Sequence, residues 1–171
     1  MILPKERDQR FITIRRGGTL TDAHHHLLAL WAANCAEHVL HFFEQANADD
    51  KRPRQAIELT RAWVNGEITM KQAHNAAFAA NAAGKGMPDA ASFAALAAGQ
   101  AVAVAHVAAH ELGAAAYAIK AVMAAAKENE KDKMGQQECQ WQQDHLPDDI
   151  RALVLDDQQL RNAICWFVFN C

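Results

Sequence analysis

The chain has 171 residues, of which 51% are hydrophobic and 22% charged, with a formal net charge of −3. That length suits one domain with a sizeable core, and the mild acidity without a basic stripe argues against nucleic acid as a partner. Alanine dominates the apolar share, and long Ala-rich tracts with few β-branched residues predict an all-α protein.

The first ten residues, MILPKERDQR, lack the apolar core of a signal peptide, which predicts a cytoplasmic location. Residues 1–20 read as an arm. Within it Phe11–Arg16 (FITIRR) is strand-like but too short to carry a sheet alone, and Arg15-Arg16-Gly17-Gly18 signals a turn. Thr19-Leu20-Thr21-Asp22 fits the start pattern of a helix running to about Gln45, with Leu28, Trp31, Cys35, Val39 and Phe42 on its buried stripe. A second helix opens at Pro53 behind Asp49 or Asp50, buries Ile57, Thr60 and Val64, and stops at Asn65-Gly66. Thr69 with Gln72 makes a capping box for a third, which buries Met70, Ala73, Ala77 and Ala80 and ends near Gly84–Gly86.

Pro88 and Asp89 restart the chain toward its most apolar stretch, Gly99–Met123. There Val102, Ala105, Ala109, Leu112, Ala116, Ile119 and Met123 repeat at 3-4 spacing, and the rest of the circumference is nearly as apolar. This predicts one helix to about Ala98 and then a long central helix wrapped by the others, the two either separate or continuous through Gly99. Ala101–Ile119 approaches the length of a membrane span, but its alanine content and His106, His110 and Glu111 favour burial in protein over membrane. The charged run at 127–135 reads as a helix end or hinge. Residues 136–171 then supply a helix bearing Trp141, a short turn at Asp148–Leu155, and a last helix capped by Asp156 or Asp157 that docks Leu160, Ile164, Phe167 and Val168 on the bundle. The expected fold is all-α: a single-domain bundle over 1–171, of about six to eight helices around a long Ala-rich central helix.

Candidate chemistry is sparse. His106 and His110, at i, i+4, would share one face of the central helix with Tyr117, and the first helix carries His38 and His41 with Glu37. Were those helices neighbours, four imidazoles would converge on a ligand or, with His106 and His110 as the weak candidates, on a metal. The spacing is permissive only: His-Glu-x-x-His and paired Glu-x-x-His patterns are both missing, so no metal or other cofactor is expected. Three consecutive histidines, His24–His26, cannot face one point on a helix. Arg15 and Arg16 ahead of a helix start form a candidate anion site. Arg52, Arg54 and Glu58, with Arg61, form a charged helix face that would pair internally or meet a partner. With one serine, no phosphate loop and no Cys–His pair in evident register, catalytic residues are not assigned. The four cysteines show no C-x-x-C pair and are expected to be reduced core fillers.

Four segments carry a resemblance: FITIRRGGTLTDAHHHLLALWAANCAEHVLHFFE, RPRQAIELTRAWVNGEI, AGQAVAVAHVAAHELGAAAYAIKAV and ECQWQQDHLPDDIRAL. Together, from about Phe11 to Trp166, they resemble a bacterial family of helical proteins described as immunity proteins, the immunity-protein-five-like group. The resemblance implies an all-α cytosolic protein that binds and neutralises a cognate toxin without catalysis. The alternative is a metal- or small-molecule-binding helical protein, or an enzyme, built on His106 and His110. A homodimer through the apolar C-terminal segment is left open.

Overall fold

The computed structural model describes residues 3–171; Met1 and Ile2, the start of the expected arm, lie outside the described residues. Eight α-helices and five short 3-10 turns make up the regular structure there, and the all-α class holds. No helix among the described residues is long and apolar enough to cross a membrane.

The arm is not a strand. Gln9–Phe11 and Ile14–Arg16 are 3-10 turns, and a single bridge between Thr13 and Leu20 is all that remains of extended pairing. Gly17 reverses the chain at φ 86, and a Cβ on Gly18 would overlap the Ile12 carbonyl, so both glycines are needed where they stand.

Helix α1 (Asp22–Val39) is capped by Thr21, whose hydroxyl accepts from the His24 N–H. It breaks at Leu40, and α2 (His41–Ala46) continues after it. Helix α3 (Arg52–Val64) ends in a Schellman motif, the Gly66 and Glu67 N–H groups bonding the Trp63 and Ala62 carbonyls. Helix α4 (Met70–Ala83) has the expected Thr69–Gln72 capping box, but Met70 is exposed rather than buried.

The Ala-rich stretch is the main correction. Helix α5 (Asp89–Ala103) stops after Ala103, the chain turns through 104–110, and α6 (Glu111–Ala125) begins anew. Continuous from Asp89 to Ala125, it would be about 55 Å long. The longest helix here, α1, has 18 residues, so the far end would lack a partner. Folded back, α5 and α6 bury one another in the closest packing of the molecule, with α1 against both, α3 and α4 on α5, and α7 on α6. Alanine makes the approach close: Ala94, Ala95, Ala98, Ala101, Ala114, Ala115 and Ala118 are fully buried. At Gly99 a Cβ would overlap Asn81 Oδ1, so the α4–α5 contact needs a glycine.

Helix α7 (Lys131–Asp144) follows a 3-10 turn at Glu128–Glu130. Buried Gln142 ties it inward, its side-chain amide donating to the Ala115 carbonyl and to Glu138 while its backbone carbonyl accepts from Trp31 Nε1. Helix α8 (Asp148–Arg161) is one helix, not a turn followed by a second start. Of the docking expected at the C-terminal end only Val168 turns inward, joined by Phe169; Leu160, Ile164 and Phe167 are exposed, as is Trp166. The cysteines differ likewise. Cys139 and Cys171 form a disulfide that holds residue 171 on α7, while Cys35 and Cys165 are buried thiols.

Candidate functional site

The arm and the α5–α6 turn line a partly open cavity of about 920 Å³. Its walls come from residues 3–16 of the arm, His25 of α1, Trp63 of α3, Met70 of α4, Ala105–Ala109 of the turn, Asp157 and Arg161 of α8, and Ile164 just beyond it. The turn is pinned from both sides. His25 Nε2–H donates to the Val104 carbonyl at 2.7 Å, and His110 Nδ1–H donates to Gln100 Oε1 at 2.7 Å. The second bond is why residue 113 is a glycine, since a Cβ there would overlap Gln100 Oε1. The buried member of the histidine triplet is therefore a structural clasp, a role its spacing alone did not signal.

His106 and His110 do not share a helical face, because the helix that would align them is broken at both. His106 lines the cavity and packs at 4.7 Å from the His74 ring, with its Nδ1 buried and unpartnered. Burial, then the charges of His74, Arg16 and Arg7, hold its imidazole below the usual histidine range. Burial lowers His110 further, to about 4. Tyr117 sits apart, between Phe93 and Trp166, with the Lys120 ammonium over both of those rings.

His38 is elsewhere again. Its Nδ1 meets Glu138 at 2.8 Å, its ring stacks on Trp141 at 3.7 Å, and with Asn34, Glu37 and His145 it lines a small groove between α1 and α7. His41 is exposed, and its Nδ1–H donates to the His38 carbonyl. The four imidazoles therefore do not converge, and among the described residues no three His, Cys, Asp or Glu groups gather as a metal site.

Arg15 and Arg16 do reach the cavity wall, although not as a backbone anion site. The N–H groups of Arg16, Gly17 and Gly18 are consumed by the Thr13 and Ile14 carbonyls, and Arg15 pairs with Asp22. The guanidinium of Arg16 has no hydrogen-bond or ion-pair partner among the described residues, nor has that of Arg7, which lines the same cavity. On α3 the arginines pair with groups outside the helix rather than through Glu58. Arg52 pairs with Asp50, Arg54 with Glu44 of α2, and Arg61 with Glu37 and Asn34 of α1, leaving Glu58 exposed.

Beneath the cavity is a buried charge network. Arg161 binds both Asp157 oxygens, reaches Glu111 Oε1 at 3.1 Å and the Ala109 carbonyl at 2.9 Å, and lies over the Phe11 ring. Glu111 is fully buried. Desolvation outweighs the attraction of Arg161, and Asp157 adds repulsion, so its carboxyl is raised well above the usual range. One guanidinium thus ties the end of α8 to the start of α6 and to the arm.

Leu160, Ile164, Trp166 and Phe167, all large, apolar and exposed, lie within eight residues of chain. Trp166 and Phe167 both have left-handed backbone, at φ 58 and 57, a costly conformation for two aromatic residues in succession. Asn162 holds them there: its carbonyl accepts from the Phe167 N–H, and its side chain bonds the Phe169 N–H and carbonyl.

The chain matches the family described as Imm-5 like putative immunity protein over residues 18–149, most of its length, and it belongs to that family. The match covers α1 to α7 and is narrower than the Phe11–Trp166 span of the sequence resemblance. The arm over the cavity and the apolar segment 160–167 fall outside it. No curated protein and no solved structure matches the chain.

Proposed function

We propose that this member of the immunity-protein family is a non-catalytic cytoplasmic protein that binds and neutralises a cognate bacterial toxin, with residues 160–167 as the contact surface. The observation that carries the reading is the exposure of Leu160, Ile164, Trp166 and Phe167 on a segment whose backbone is held in an unfavourable conformation. Large apolar and aromatic side chains presented on a pre-ordered segment are what the centre of a protein interface uses, because little entropy remains to be lost on binding. Their position outside the family-wide bundle supports a surface that differs from member to member, as recognition of different toxins requires.

The test is co-expression with any toxin found encoded near its gene. The wild-type chain should restore growth and co-purify with the toxin. Phe167→Ala together with Leu160→Ala should abolish both while the thermal unfolding midpoint stays within a few degrees. Full protection by that variant would remove the surface from the reading. A second copy of the chain is the competing occupant. A dimer of the isolated protein that the same variant dissolves would assign residues 160–167 to self-association.

A further inference from the structure

The cavity under the arm is charged opposite to the molecule around it. On a chain of net charge −3 its wall carries Lys5, Arg7, Arg15, Arg16 and Arg161 against only Asp8 and Asp157. Both carboxylates are already engaged, Asp8 by Arg10 and Asp157 by Arg161. Arg15 has Asp22, but Lys5, Arg7 and Arg16 have no partner among the described residues, and Arg7 and Arg16 stand close enough to His106 to disfavour its charged form. Like charges gathered on one wall repel, and an anion between them would relieve that repulsion. The remaining lining is apolar and partly aromatic, including Phe11, Ile12, Trp63, Met70 and Val107. A volume of about 920 Å³ exceeds what an inorganic ion fills and falls in the range of small-molecule sites.

We propose that this cavity binds a small organic anion, an oxyanion group on a flat apolar ring, with Arg7 and Arg16 gripping the oxyanion and the ring lying among Trp63, Met70 and Val107. Guanidinium forks suit phosphate and carboxylate alike, so the shared chemistry is the oxyanion, and the probes distinguish its two sources. The site is separate from the toxin-contact reading, which rests on residues 160–167, and each can fail alone.

Titration calorimetry with the full chain at low ionic strength, using AMP, indole-3-acetate, adenosine and inorganic phosphate, tests it. Saturable one-to-one binding of AMP or of indole-3-acetate is expected, with the tighter of the two naming phosphate or carboxylate. Adenosine should bind at least tenfold more weakly than AMP. Arg7→Ala with Arg16→Ala should weaken the anion at least tenfold, and added salt should weaken it in wild type but little in the variant. Both arginines are exposed, so the variant should keep the wild-type melting curve; Arg16→Lys, which retains the charge, should lose less. Failure of both anions to saturate, adenosine binding as tightly as AMP, or equal affinity in the arginine variant would each overturn the proposal.

Discussion

At the scale of single residues, burial decides protonation. His110 is held neutral to about pH 4 by desolvation, whereas in the unfolded chain it takes up a proton near the ordinary histidine value of 6.5. Between those values the unfolded chain binds a proton that the folded one refuses, so stability is full above pH 6.5 and falls as the pH drops toward 4. The loss from this ring is about 2–3 kcal/mol, and His25 and His106, also lowered, act in the same direction. The thermal midpoint should therefore decline from pH 7 to pH 4, and less steeply in His110→Gln; an identical slope in the variant would refute the assignment. Arg161 gives a second expectation. Replacing it by Met strands Asp157 beside Glu111 in the interior and should cost about 3–5 kcal/mol in urea unfolding. Glu111→Gln keeps the shape, removes a carboxyl that burial already disfavours as an anion, and should cost under about 1 kcal/mol.

At the scale of elements, the α5–α6 hairpin depends on small side chains where helices cross. Alanine at Gly99 would gain about 1 kcal/mol of helix propensity. The same Cβ would overlap Asn81 Oδ1 and lie 3.2 Å from the Ala77 carbonyl, which does not move without shifting α4. Overpacking of this kind costs about 1–3 kcal/mol, so Gly99→Ala should be destabilising on balance. Because the nearer obstacle is a side chain, Asn81→Ala in the Gly99→Ala background should recover part of the loss. A double mutant no more stable than the single one would mean that the carbonyl, not the amide, sets the spacing.

At the scale of the whole molecule, two long-range ties close the structure around the bundle. Arg161 links α8 to α6 across 50 residues, and the Cys139–Cys171 disulfide links α7 to residue 171 across 32. A cross-link closing a loop of that size contributes about 2–4 kcal/mol. Reduction should lower the melting temperature of the wild-type chain and leave Cys171→Ser, already lower, unchanged. Reduction should also loosen the 160–167 segment, visible as faster amide exchange at Trp166 and Phe167. Exchange unaltered by reductant would show that Asn162 alone holds those residues.

The sequence by itself determined the all-α class, the helix starts at Asp22, Met70 and Asp89, the stops at Asn65-Gly66 and Gly84, and the family. Each of those signals is either a cap, written in residues within about four positions of one another, or a composition averaged over the chain. Tertiary structure alone decided that the Ala-rich stretch folds in two. No proline or glycine marks residues 104–110, and the turn is held by His25, 79 residues away, and by the gain from burying α5 on α6. The same break separated His106 from His110, and the i, i+4 reading failed with it. The cavity joins the arm, four helices and a turn, and the cysteine pairing joins residues 32 apart. Contacts between groups so distant along the chain leave no periodicity to read, because their geometry is set only once the intervening helices have packed.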